Sequence, residues 1–126
     1  GGESPVGKYM FEKERKIPTD EKLMAHVLKV IPNLEVVSCA SADKFVLHRD
    51  EREALARDFE CQICEMEAAG IILTARRNKV PVVMIKAISD GVSDHMDEFL
   101  FNFEDAADQC FEVLKKCFFE HIIEDV

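Results

Sequence analysis

One stretch, residues 63–94 (ICEMEAAGIILTARRNKVPVVMIKAISDGVSD), constrains the fold of this chain more than any other. Its pattern predicts a short strand over residues 60–65, then a helix over 66–78 rich in alanine and β-branched residues. Asn78 offers a left-handed cap to end that helix. Residues 80–88 (VPVVMIKAI) are almost continuously apolar, as a parallel strand covered on both faces should be. Pro81 fits only near the start of such a strand. Strand, helix and strand then form a right-handed βαβ unit, the usual link between parallel neighbours. Carboxylates stand where the strands stop: Glu65 and Glu67 after the first, Ser89 and Asp90 after the second. Ligands of open α/β sheets bind outside the carboxyl ends of the strands, so the stretch predicts one wall of a small-molecule site.

The remaining elements extend this pattern. Residues 1–18 mix Gly, Pro and charges without a period and read as an irregular lead-in. Thr19 is the expected N-cap of an amphipathic helix, with Asp20 and Glu21 at its positive end. Leu23, Met24, Val27, Leu28 and Ile31 form its apolar face, and Pro32-Asn33 end it. His26 lies between these apolar positions and reads as surface or packing. Residues 34–41 (LEVVSCAS) read as a strand buried on both faces. Asp50 is the expected cap of a helix through Phe59, with Leu55, Ala56 and Phe59 inward and Arg–Glu pairs outward at i,i+4. After Asp94 a long helix places Phe99, Phe103, Ala107, Cys110, Phe111, Leu114, Phe118 and Ile122 on one stripe, read as core or dimer face. The predicted fold is α/β, a single three-layer αβα domain over residues 1–126 in the order α-β-α-β-α-β-α, its three strands parallel.

Composition removes several classes of function. The 126 residues are 48% hydrophobic and 33% charged, enough for one cored domain. Net charge is -9 with Lys and Arg dispersed, so there is no basic stripe for nucleic acid. The longest apolar run, residues 80–85, is far short of the roughly 20 residues that span a bilayer, and no membrane partner is expected. No secretory pattern opens the sequence, and five cysteines, an odd number, fit a reducing cytoplasm. Cys61 and Cys64 form a C-x-x-C, but along a strand rather than at a helix start, so a redox pair is not expected. With no second C-x-x-C and no paired His, no metal site is expected and no cofactor is implied. Both are read as buried strand cysteines. The phenylalanine-rich last helix predicts self-association, as a homodimer or higher homo-oligomer.

The carboxylates allow two readings each. Glu65 and Glu67 flank a strand-to-helix junction, where either could cap the helix or bind vicinal hydroxyls of a sugar. Asp90, after an apolar strand and beside Ser89, is a turn residue before Gly91 or a desolvated carboxyl able to donate a proton near neutral pH. Phe45 and Val46 are ordinary core or a flat apolar surface for a ring.

Three motifs, SADKFV (residues 41–46), CEMEAAG (64–70) and KAISDGVSD (86–94), in this order and spacing, resemble the second half of the purine nucleoside phosphorylase and nucleosidase superfamily. The likeness covers residue 34 onward and is greatest to the 5′-methylthioadenosine/S-adenosylhomocysteine nucleosidases. It implies hydrolysis of the N-ribosidic bond of a purine nucleoside, releasing adenine, in methionine salvage. By this resemblance Phe45 would stack on the purine and Val46 would bond the base through its main chain. Met66 would pack on the ribose, Glu67 would bind the ribose hydroxyls and Glu65 would shape the pocket floor. Asp90, steadied by Ser89, would protonate or hydrogen-bond N7 of the departing base. The phosphorylases of the superfamily share SAD-x-F and EMEAAG but use an arginine beyond the aspartate, and no Arg follows Arg77 here, which favours water as the acceptor. Members of the family are nearly twice as long. Their preceding half supplies the group that activates the water, and none of Glu3, Glu12 or Glu14 stands in the right order to replace it. The expectation is a fragment or truncated member that recognises a nucleoside, a piece that works only beside a separate N-terminal half being a further explanation. The alternatives are a non-catalytic nucleoside-binding relative and a purine nucleoside phosphorylase.

Overall fold

A computed structural model describes residues 14–89 and 96–119, the last span without the side chains of 96–103. Helix α1 runs Glu21–Val30, and its cap is Asp20 rather than Thr19. A cap side chain must reach the third residue of the helix. Asp20 Oδ1 accepts the Leu23 N–H at 2.9 Å. The Asp20 N–H also donates to the Val82 carbonyl at 2.7 Å, which ties the start of α1 to the apolar 80–88 segment. Val27 is the buried residue of this helix.

Strands β1 (Cys39–Ser41) and β2 (Ile63–Glu65) pair in parallel, with Cys39 opposite Ile63, Ala40 opposite Cys64 and Ser41 opposite Glu65. Gln62 lengthens the pair by one step. Its N–H donates to the Ser38 carbonyl at 2.9 Å and its Oε1 accepts the Ser38 N–H at 2.8 Å. Residues 34–37 stay outside the ladder, and Val36 is 59% exposed. The expected strand buried on both faces is therefore a short strand with an open approach.

Between the strands lies α2 (Arg49–Phe59), so the βαβ unit with a paired parallel ladder is β1-α2-β2. His48 is its N-cap and makes no side-chain cap bond. The expected cap Asp50 instead accepts the N–H of its neighbour Glu51. Leu55 and Phe59 are half-buried as the pattern predicts, while Ala56 is exposed. Arg49 and Glu53 form the expected i,i+4 pair at 2.8 Å. Glu60, at φ 50°, ends the helix in the left-handed region.

Helix α3 (Ala68–Arg77) buries Ala68 and Ile72. Its left-handed residue is Lys79 (φ 58°), not Asn78 (φ -92°). The Asn78 N–H still bonds the Thr74 carbonyl in helical fashion, and its side-chain amide donates to the same carbonyl at 2.8 Å. The chain can reverse only one residue later.

The third predicted strand is not a strand: among the described residues, 80–88 joins no ladder. Its carbonyls are engaged elsewhere, at Val82 by the Asp20 N–H and at Ile85 by the Cys110 thiol at 3.8 Å. An apolar run predicts burial but does not select a hydrogen-bonding neighbour. Helix α4 (Met96–Leu114) follows and passes into a π-helical turn, Lys115–Phe119. Its inward positions are Ala106 and Cys117, with Cys110, Val113 and Phe118 half-buried. The predicted stripe is thus turned about one residue, leaving Ala107, Phe111 and Leu114 exposed. The stripe positions Phe99, Phe103 and Ile122 fall outside the described side chains. His26 Nε2 donates to the Cys117 carbonyl at 2.7 Å, docking α1 on the π-turn. The buried apolar residues Val27, Cys61, Ala68, Ile72, Ala106 and Cys117 come from α1, α3, α4, the π-turn and the approach to β2.

Replacing Asp20 by Ala removes the cap of α1 and leaves its main-chain bond to Val82 in place. The expected loss is about 1 kcal/mol, measured as a lower urea midpoint with an unchanged slope.

Candidate functional site

Both strands end at one small cavity of about 190 Å³, lined by Ser41, Ala42, Asp43, Met66, Glu67, Ala69 and Gly70. Ser41 and Glu65 are the last residues of β1 and β2, paired across the ladder. The cavity therefore opens beyond the carboxyl ends of the parallel pair, where an α/β sheet binds ligands.

A hydrogen-bonded knot centred on Glu65 sets its geometry. Glu65 Oε2 accepts the N–H groups of Glu67 and Ala68, each at 2.8 Å, and the Lys86 ammonium at 2.9 Å. The first-turn amides of a helix lack partners within it and attract negative charge, so one carboxylate oxygen completes the start of α3. The other oxygen, Oε1, is buried without a partner among the described residues. Ser41 Oγ accepts the Ala69 N–H at 3.0 Å, so strand β1 fixes the next amide of the same turn. The Glu65 side chain is 13% exposed and that of Lys86 28%. Desolvation alone would raise the Glu65 pKa. Hydrogen bonds from Ser41, Lys86 and the Glu67 and Ala68 amides outweigh it and hold the carboxyl down at about 2. Glu65 is thus a fixed anion at neutral pH and a poor proton carrier.

The structure separates the two glutamates. Glu65 caps the helix. Glu67, at the N-cap position, makes no side-chain cap bond and is exposed, and with Met66, 40% exposed, it lines the cavity. Phe45, Val46 and Ser89 do not line it. Phe45 is 45% exposed. Val46 is half-buried, its carbonyl accepting Arg52 Nε–H at 2.9 Å. Ser89 is half-buried at the end of the described segment, and Asp90 lies outside the described residues.

Two residues of the knot around Glu65 had no role assigned from sequence. Ser41 and Lys86 belong to the motifs SADKFV and KAISDGVSD, and Lys86 had a signal: it is the one cation inside an apolar run that reads as buried. A larger apolar groove of about 530 Å³, lined by Gly70, Ile71, Thr74, Ala75, Asn78 and Val80, carries no ionisable group and lies along α3 rather than at the strand ends.

All five cysteines are free thiols. Cys61 is buried but precedes β2, whereas Cys64 lies within it and is exposed, so neither is the buried strand cysteine that was expected. Desolvation and the adjacent Glu65 carboxylate push the Cys39 thiol up to about 12, and burial raises that of Cys117. Among the described residues no three of His, Cys, Asp or Glu converge to hold a metal, and no described helix is long and apolar enough to cross a membrane.

Comparison with known proteins places this geometry in a family. Residues 2–118 match the phosphorylase superfamily, and the chain belongs to it. It is 31% identical over 106 residues to an aminodeoxyfutalosine nucleosidase of Campylobacter jejuni, a match covering 78% of this chain and 46% of the relative. It is 29% identical over 94 residues to an aminodeoxyfutalosine nucleosidase of Helicobacter pylori strain 26695, covering 71% and 40%. A third such nucleosidase, from Helicobacter pylori strain J99, is 32% identical over 65 residues, covering 48% and 28%. The chain thus spans about half the length, or less, of the curated relatives it matches. No solved structure matches the chain at the same stringency.

The lowered pKa of Glu65 makes stability depend on acid. A carboxyl whose folded pKa is depressed contributes stability above its unfolded value, and that contribution is lost as pH falls towards the folded one. The wild-type chain should lose stability relative to Glu65→Gln as pH drops from about 4.5 to about 2. Paired denaturation curves between pH 7 and pH 2 read this difference, and parallel pH profiles would contradict it.

Proposed function

We propose that this chain is the nucleoside-recognising part of a hydrolytic nucleosidase that cleaves the N-ribosidic bond of a purine nucleoside. The observation that carries the reading is the division of labour between the two glutamates. Because Glu65 completes the helix, the Glu67 carboxylate is left on the cavity beside Met66. A carboxylate so placed accepts hydrogen bonds from both hydroxyls of a ribose, while the Met66 thioether packs on the face of the sugar.

In this reading Phe45 stacks on the purine, the Val46 main chain bonds its edge, and Ser89 steadies Asp90. Breaking the N-ribosidic bond leaves a cation-like sugar and drives negative charge onto the base. An acid donating to N7 of the base is therefore worth most in the transition state. Asp90 holds that role, and the group that activates the attacking water comes from outside this chain. Residues 80–88 join the sheet as a third parallel strand only in the larger three-layer αβα assembly that contains that group. Water rather than phosphate is the acceptor, since the sequence offers no Arg beyond residue 77 and the relatives are nucleosidases. The substrate is an adenine nucleoside differing at its 5′ position. Candidates are methylthioadenosine and S-adenosylhomocysteine, from the motif resemblance, and aminodeoxyfutalosine, from the names of the relatives.

The test is base release from these three nucleosides by the chain, alone and mixed with the N-terminal half of the Campylobacter jejuni nucleosidase. Release by the mixture is expected, with Asp90→Asn slowing it by about 10²-fold or more. No release from any of the three, or an Asp90→Asn chain as fast as the wild type, would overturn the proposal.

A further inference from the structure

We infer that the Glu65–Lys86 ion pair is a positioning device, holding the sugar-binding end of β2 in register with the segment that delivers Ser89 and Asp90. The inference rests on the nucleosidase reading above for its functional consequence and on geometry alone for the clamp.

Residues 80–88 belong to no ladder among the described residues, so main-chain pairing to the sheet does not set their position. Besides the Val80 N–H bond to the Ala75 carbonyl at the end of α3, three bonds among the described residues tie this segment to other elements. The Asp20 N–H takes Val82 from the side of α1, and the Cys110 thiol takes Ile85 from α4. Lys86 takes Glu65 at 2.9 Å, and this is the bond of the three that reaches the site. It is made three residues before Ser89 on one side. On the other, it is made to the carboxylate oxygen that also fixes the amides of Glu67 and Ala68. A shift of the ammonium therefore moves two things together: the base-side residues and the first turn of α3 that aims Glu67.

The pair is also built to resist such a shift. Both side chains are mostly shielded from solvent, and Oε2 gathers the Glu67 and Ala68 amides and the Lys86 ammonium, while Oε1 is buried without a partner among the described residues. A neutral glutamine could keep those three bonds through its single carbonyl oxygen, putting its amide nitrogen where Oε1 lies. Without the opposite charge nearby it would hold the ammonium less strongly. Two groups that act on opposite ends of one substrate depend on their separation more than on their individual strength. A misplacement of about 1 Å can cost about 10²-fold in rate.

The experiment compares Lys86→Met and Lys86→Arg in the complemented chain, reading steady-state kinetics together with amide hydrogen exchange at Glu67 and Ala68. Lys86→Met should lower kcat by about 10²-fold with KM changed much less, and should speed exchange at both amides. Lys86→Arg, which restores a cation, should recover most of kcat and the slow exchange. An unchanged kcat in Lys86→Met, or an equal loss in Lys86→Arg, would overturn the positioning role. Should the wild type release no base at all, the nucleosidase reading fails by itself. Exchange then decides the clamp: faster in Lys86→Met supports it, and unchanged refutes it.

Discussion

A helix that begins at the end of a strand must find partners for its first amides, and here one carboxylate oxygen supplies them. Everything at the candidate site follows from the choice of Glu65 for that task. Two first-turn N–H groups converge on Oε2, and Ser41 takes a third amide from the neighbouring strand. Burial alone would raise the pKa of this carboxyl, and hydrogen bonds from Ser41, Lys86 and the two amides outweigh it, Lys86 supplying the opposite charge. A partly buried anion is tolerated only when it is both paired and hydrogen-bonded. Strand β2, helix α3 and the 80–88 segment are thereby joined at one atom, and Glu67 is left unspent beside the cavity.

Amphipathic periodicity located the helices well, because a helix makes its own hydrogen bonds and its pattern needs no partner. Helices α1, α2 and α3 all appear where the apolar spacing puts them. Their ends were less legible. Asp20 and Lys79 do what Thr19 and Asn78 were expected to do, since a cap is decided by which side chain reaches an amide and which residue can reverse the chain. The C-terminal stripe was misread by one position because Ala106 and Ala107 look alike in sequence, and only the folded structure shows that the first is the buried one. The 80–88 run failed for a different reason. A strand is defined by its neighbour, and an apolar run says nothing about which backbone it will meet. At the site, sequence left Glu65 and Glu67 equally able to cap or to bind. Reach settled it: Glu65 can fold forward onto the amides two and three residues ahead, whereas Glu67 stands at the helix mouth.

Apolar side chains at Val36, Val80 and Ile88 remain largely in solvent. Each would contribute on the order of 25 cal/mol per Å² if covered. They flank the elements that carry the candidate site, before β1, after α3 and at the end of the segment leading to Ser89. A surface that covered these residues would therefore also lie against the elements that carry the candidate site.

The contact between His26 and the π-turn behaves unlike the knot at Glu65. The Cys117 carbonyl can only accept, so the imidazole must carry a proton on Nε2, and a neutral ring keeps its lone pair on Nδ1. The seam between α1 and the C-terminal helix thus rests on a bond whose direction the carbonyl fixes, whereas the knot that shapes the site depends on its carboxylate staying ionised.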